Sequence, residues 1–413
     1  MPDAAPAARM PDLLRPRGSN QVGMRQFNER TVLQALRVHG SLPKADLARL
    51  TGLSAQTIGL ITARLEEDGL IVKQSRVRGR IGQPSVPLAL NPDGAFAIGV
   101  KVGRRGAEWL LIDFTARVRE RHAMAYDFPD AEALLPAIAQ HTHRLRDGLG
   151  PLAARTVGVG LAAPFLLGGW HRTLGLSKAQ SDLWNGMDLG AEVRQRTDLP
   201  VIFARDTVAA CVAELVSGRG HDLKSFLYVF VDTFVGGGLV LNSHLHGGAH
   251  GNAGALASLP MQRVRGAKRD GDADAAPSQL IAEASLWELE QRLQREGVDP
   301  DAAYDERALQ PPFADATAAW LASAAEALAH AIASGTAMLD LADVVMDGSM
   351  SRPLQQALLE ATRAALDGCN WEGLWRPQLH GGRVGAQACA LGGAMLPLHA
   401  NFAPDHDVFL KAG

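Results

Sequence analysis

The sequence predicts an α/β protein in two parts: an N-terminal winged helix-turn-helix over residues 20–90 and a larger body of alternating strands and helices over residues 91–413. Three observations carry that reading. Two apolar-faced helical stretches flank a glycine in LARLTGLSAQT, the arrangement of a helix-turn-helix. From Asn91 onward, β-rich runs alternate with longer helical ones, the pattern of α/β layers. Charge is also divided. Residues 1–90 hold 13 Lys and Arg against 7 Asp and Glu, and the remainder holds 28 against 37. A basic head on an acidic body suits a DNA-reading module fused to a soluble domain. Chance clustering of surface charge would give the same imbalance.

Composition excludes several classes. No apolar run approaches the roughly 18 residues of a membrane span. The first 19 residues read as a disordered Pro/Ala/Arg-rich lead without the apolar core of a secretory signal. Cys211, Cys369 and Cys389 are scattered singly, which offers neither a disulfide framework nor a CxxC metal site and points to a reducing, cytoplasmic setting.

Within the head, the pattern predicts a helix over 29–38, capped by Asn28, with Val32, Leu33 and Leu36 inward and Gly40 as its stop. A short helix follows Pro43, with Leu47, Ala48 and Leu50 facing inward. Gly52 supplies the turn, Leu53 tucks into the core and Ser54 caps the next helix. Ile58, Ile61 and Leu65 form that helix's buried face, and Gly69 ends it. Ala55, Gln56 and Thr57 are left exposed at its N-terminal end, the part of a recognition helix that meets base edges. A Gln amide bonds adenine in two places, and a Thr methyl touches thymine. A plain helical hairpin with polar caps would share this pattern.

LIVKQSRVRGRIGQPSVPLALNP then reads as strand, basic turn and strand, the wing expected after a recognition helix. Arg76, Arg78 and Arg80 alternate, so a strand sets them on one side. Gly79 and Gly82 let the backbone come close to another chain. Such arginines suit phosphates or a narrow minor groove.

In the body, strands are expected over 95–103, 107–114, 155–165 and 341–350, strand, glycine turn and strand over 225–243, and helices over 278–296, 313–340 and 352–366. His244, His246 and His250 have a spacing that could chelate zinc, but they are expected to form a surface turn. No metal or cofactor is expected.

GSNQVGMRQFNERTVLQALRVHG, the helix-turn-helix and GRIGQP together resemble the N-terminal half of ROK-family repressors, and the resemblance spans residues 19–400. ROK covers repressors, open reading frames and sugar kinases. The resemblance implies a two-lobed actin-like ATPase/sugar-kinase fold with a cleft, and a C-terminal helix returning to the first lobe. It also implies a homodimer formed through the body, to which the apolar helices after residue 313 could contribute, on an inverted-repeat operator in double-stranded DNA. Gln83 stands where such repressors usually carry Arg, which removes one charge from the wing.

The residues a kinase of this fold needs are altered. At the first phosphate loop, Lys101 stands at the acidic position, with Arg104 and Arg105 after Gly103. At the second, GTGVGGG becomes DTFVGGG, so Asp232 and Phe234 replace glycines. A carboxylate repels phosphates, and a phenyl ring fills their approach. The remaining Gly236–Gly238 run is expected to be a structural turn. An adenosine-side Gly-Gly becomes Asp347-Gly348. On the sugar side, the family's Asn-Asp pair reads Arg205-Asp206, which keeps the would-be base Asp206 beside a cation. Ala255 and Ser258 replace a sugar-binding Glu and a zinc-ligating His, Ile281 replaces a further Glu, and the cysteine cluster is absent.

The expectation is therefore a regulator, with no catalytic residues, whose body senses a sugar-like effector through Asn185, Arg205, Asp206 and Ser258. A sugar kinase with a DNA-binding head and a regulator with a ligand-free dimerisation body are the alternatives. Arg205 either recruits an acidic sugar derivative or pairs with a carboxylate and plugs the pocket.

Overall fold

The computed structural model describes residues 21–75, 86–164, 167–168, 177–261 and 278–404. The head begins earlier than its capping signals suggest. Helix α1 runs Gln21–His39, so Asn28 lies inside the helix instead of capping it. No Gly or Pro between Gln21 and Asn28 other than Gly23 interrupts it, and Glu29 sits 3.8 Å from Arg25 one turn back. Val32, Leu33 and Leu36 are buried as expected.

Helix α2 (Lys44–Thr51) and helix α3 (Ala55–Glu67) meet at Gly52, whose φ of +70° is the left-handed turn that glycine allows. Leu47 is the one buried residue of α2, and Leu50, expected inward, is 49% exposed. Leu50 sits in the last turn, two residues before the chain leaves the helix at Gly52.

Strands β1 (Ser41–Leu42), β2 (Ile71–Lys73) and β3 (Leu88–Leu90) form an antiparallel sheet in the order β1-β3-β2. Ile71 pairs with Leu90 and Lys73 with Leu88, so β2 and β3 are antiparallel neighbours. Arg76, Arg78, Arg80 and Gln83 lie outside the described residues.

The described residues divide into two compact units: the first takes those through Ala209 and 390–404, the second Ala210–Cys389. The first unit's sheet contains β4 (Phe96–Val102), β5 (Gly106–Asp113), β6 (Val118–Ala125), β7 (Thr156–Ala163) and β8 (Val201–Arg205), in the order β6-β5-β4-β7-β8. Helices α4 (Ala131–Asp147), α5 (Lys178–Asn185) and α6 (Leu189–Arg196) belong to it, and α7 (Asp206–Ser217) starts in it. Ile98, Val100, Trp109, Val159 and Leu161 form its core. Strand β6 had no sequence signature. It is an edge strand whose polar residues pair across the sheet, with Arg119 Nε 2.7 Å from Asp113 and Arg121 Nε 2.6 Å from Glu108.

The second unit's sheet runs β11-β10-β9-β14-β15. It contains β9 (Phe226–Val231), β10 (Val235–Leu241), β11 (His244–Leu245), β14 (Asp343–Gly348) and β15 (Gln378–Gly381), and a separate ribbon pairs β12 (Pro260–Met261) with β13 (Ser278–Gln279). The helix expected over 278–296 is two, α8 (Leu280–Ala284) and α9 (Leu286–Arg295), broken at Ser285. Helices α10 (Ala314–Leu339) and α11 (Arg352–Asp367) follow. Trp320, Leu328, Val344, Met346 and Leu358 sit in this unit's core.

Helix α12 (Ala388–Phe402) packs on the first unit's sheet, backbone to backbone. A Cβ on Gly99 would lie 1.9 Å from Ala390 O, and one on Gly160 1.7 Å from Gly393 O. Glycine is required at both positions.

The head is tied to the first unit at the end of α3. Arg155 NH1 donates to Gly69 O at 3.4 Å and to Gly94 O at 3.1 Å, and Asn91 Nδ2 donates to Gly69 O at 2.7 Å. A cation at a helix C-terminus is favourable. Arg37 lies 5.2 Å over the Phe114 ring, which packs against Phe402. Arg155→Ala should cost about 1 kcal/mol, a charged hydrogen bond discounted for its half-exposed site. Hydrogen exchange should quicken at Asn91, whose amide donates to Leu70 O. Unchanged exchange there would show that Asn91 alone holds the joint.

Candidate functional site

Helix α3 carries the candidate DNA-reading surface. Ser54 Oγ accepts from Thr57 N at 3.1 Å and lies 2.8 Å from Thr57 Oγ1, so the Thr57 hydroxyl joins the cap and its methyl remains for contact. Ile58, Ile61, Thr62 and Leu65 are buried on the opposite side, while Ala55 and Gln56 are exposed. Arg64 sits 3.7 Å from Glu29 and 3.9 Å from Asp68.

Sequence reading missed two residues on the exposed face. Leu60 is 70% exposed. Gly59 lies at mid-helix, and a Cβ there would meet no atom within 4 Å. Glycine at such a position costs about 1 kcal/mol relative to alanine, and no packing among the described residues calls for it. The available signal was an apolar residue out of phase with Ile58, Ile61 and Leu65.

The three loops that the resemblance assigns to nucleotide make hydrogen bonds within their own chain. In the β4–β5 turn, Gly103 N donates to Gly106 O at 2.9 Å, the Tyr126 hydroxyl donates to Gly103 O at 2.9 Å, and Tyr126 N donates to Arg105 O. Burial pushes the Tyr126 phenol up, against the pull of Lys101. Arg104 is buried in this turn.

In the β9–β10 turn, the first amides of α9 take the loop carbonyls: Leu286 N donates to Asp232 O and Trp287 N to Thr233 O, both at 3.1 Å. Val235 N donates to Ser285 Oγ at 2.9 Å, and the Thr233 and Tyr304 hydroxyls meet at 3.0 Å. Gly236–Gly238 form part of strand β10, not the turn expected of them. Gly237 has no room for a side chain: a Cβ there would lie 2.5 Å from Tyr228 O and 2.9 Å from Gly254 O.

At the third loop, the buried Asp347 carboxylate accepts from Gly385 N at 2.6 Å, Gln355 Nε2 at 3.0 Å and Arg352 NH1 at 3.2 Å. Burial pushes this carboxyl up to about 6, against the pull of the Gly385 amide and the Arg352 guanidinium. The side chain fills the space beside Gly382, where a Cβ would sit 2.5 Å from it.

The effector candidates fall in both units. Arg205 ends β8 and Asp206 opens α7, where Asp206 Oδ1 accepts from Thr207 N at 2.7 Å. Burial pushes the half-buried Arg205 guanidinium down, and the Asp206 carboxylate pulls it back up. Asn185 Nδ2 donates to Ser181 Oγ at 3.3 Å, which in turn donates to Gly168 O. These three belong to the first unit. Ser258 is exposed on a short turn of the second unit, near the exposed Ala255. His246 and His250 are exposed, and the ring of His244 bonds Asn242 O. Among the described residues no group of three His, Cys, Asp or Glu could hold a metal ion. No helix among them is long and apolar enough to cross a membrane.

A family model for ROK matches residues 97–399, nearly all of the body. The chain belongs to the ROK family. A winged helix-turn-helix DNA-binding model matches residues 28–72 of this ROK chain. The xylose repressor of Bacillus spizizenii is 21% identical over 58% of the chain and 62% of its own length. The DNA-binding transcriptional dual regulator NagC of Escherichia coli is 26% identical over 60% of the chain and 61% of its own. The ROK chain thus spans under two thirds of these relatives. The solved structure of a ROK family transcriptional regulator, a homologue of the E. coli MLC protein, shares its fold at a TM-score of 0.67. That match has 20% identity and covers 92% of this chain and 98% of the other.

Proposed function

We propose that this ROK chain is a cytoplasmic DNA-binding repressor of carbohydrate-related genes, with a body that no longer phosphorylates sugar. The observation that carries the reading is the capped helix α3, with Gln56 exposed at the end that faces base edges. Ser54, Ala55, Gln56 and Thr57 meet the major groove, and the wing residues Arg76, Arg78, Arg80 and Gln83 hold phosphates or the minor groove. One such head reads only a few base pairs, so specificity needs two copies on an inverted repeat.

The case against kinase activity rests on the closed loops. A phosphate cradle works by presenting unengaged backbone N–H groups. Here the β9–β10 turn has its amides engaged, Thr233 N donating to Asp232 Oδ1 and Val235 N to Ser285 Oγ, and the Asp347 carboxylate fills the third loop. The relatives' names, a xylose repressor among them, support a sugar-like effector. Asn185, Arg205, Asp206 and Ser258 are its proposed contacts. The electrostatic hold of Asp206 on Arg205 favours a self-paired cation over an acidic ligand.

Full-length protein should retain a specific duplex from a random pool and sediment as a dimer. With magnesium and ATP it should phosphorylate no hexose. Retention of no duplex would reject the repressor reading. Sugar phosphorylation that disappears in Asp206→Ala would establish the kinase instead.

A further inference from the structure

The exposed face of α3 departs from what a surface helix carries. The outward side of such a helix is normally charged, yet between Gln56 and Arg64 this one presents Gly59, Leu60 and Ala63. Leu60 stands one turn beyond Gln56, 70% exposed, with its apolar end in solvent. Among the described residues, no atom outside the local helix backbone comes within 4 Å of where a Cβ on Gly59 would lie. The face lies within the span matched by the DNA-binding family model, in a head, residues 20–90, that carries 10 basic against 5 acidic residues. The occupant that fits is an anionic duplex with apolar groups on its groove floor. In the major groove those groups are the C5 methyls of thymine.

We propose that Leu60 reads thymine methyl groups, and that Gly59 lets the helix come close enough for it to do so. This assignment rests on the repressor reading above and specifies which bases the helix selects. Gln56 would then set an adenine, and Leu60 one or more thymines beside it, making an A/T-rich half-site. A second copy of the chain or another protein could also cover an apolar face, and the test separates these.

Duplexes retained from a random pool by the full-length chain serve as probes, with each thymine of the half-site replaced in turn by deoxyuridine, which lacks the methyl. Loss of one contacted methyl should weaken wild-type binding about fourfold, from the free energy of burying one such group. In Leu60→Ala the same replacement should change nothing. Gly59→Ala should raise the melting temperature, since alanine favours helix, while weakening binding at least tenfold. Selected sites without thymine, or methyl loss costing wild type and Leu60→Ala equally, would overturn the role of Leu60 and leave DNA recognition standing. A Leu60→Ala protein with unchanged DNA affinity and a smaller sedimenting mass would assign the face to a second copy. Retention of no duplex would reject the repressor reading itself, and this assignment with it.

Discussion

Gly160→Ala should unfold the first unit well before the second. The new Cβ would stand 1.7 Å from Gly393 O and 2.4 Å from Gly393 C. Both are backbone atoms inside α12, so no side-chain rotation relieves the overlap, and the helix must lift from the sheet. Overpacking of this kind typically costs 1–3 kcal/mol, and backbone obstruction sets this site at about 3 or more. For a unit of this size that lowers the melting temperature by roughly 10 °C. Differential scanning calorimetry should show the first unit's melting move down while the second unit's stays in place. Gly59→Ala is the control, since its Cβ meets open space. A Gly160→Ala protein that melts with the wild type would mean that α12 does not lie on the sheet in solution.

Arg78→Ala combined with Arg80→Ala should weaken binding to every duplex, specific or random. Each phosphate contact contributes about 0.9 to the slope of log affinity against log salt, so losing two should flatten that slope by about 2. At moderate salt, affinity should fall on the order of a hundredfold. Gln56→Ala should instead change which sequence is preferred and leave the slope intact. Fluorescence anisotropy from 50 to 200 mM salt reads both effects. An unchanged slope in the double variant would remove these arginines from the interface.

Much of the head was legible because its signals are local. Gly52 is needed for a left-handed turn, and Ser54 caps a helix through an amide three residues away. Ile58, Ile61 and Leu65 repeat at helical spacing and are buried. The beginning of α1 was not legible, because its first turns carry Met24 and Phe27 exposed, out of register with any buried face. Strand β6 was hidden for a related reason. Its residues, VRERHAMA, look like a solvated loop, and they become a strand only because β5 offers an edge and carboxylates for Arg119 and Arg121.

By itself, the sequence determined the two-part plan and the altered chemistry of the would-be kinase loops and sugar side: Lys101, Asp232 and Phe234, and Arg205 and Ala255, are visible as letters. Only the tertiary structure decided how those loops are occupied. Leu286 and Trp287 reach Asp232 and Thr233 across more than fifty residues, and Gly385 reaches Asp347 across thirty-eight. Likewise Gly59 is an unremarkable letter until the space above it is seen to be open. Capping, turn and periodicity act between near neighbours, so they leave a trace in sequence order. Which amide meets which carbonyl across the fold, and which face of a helix is left uncovered, depends on how distant elements pack, and no short window of sequence records that.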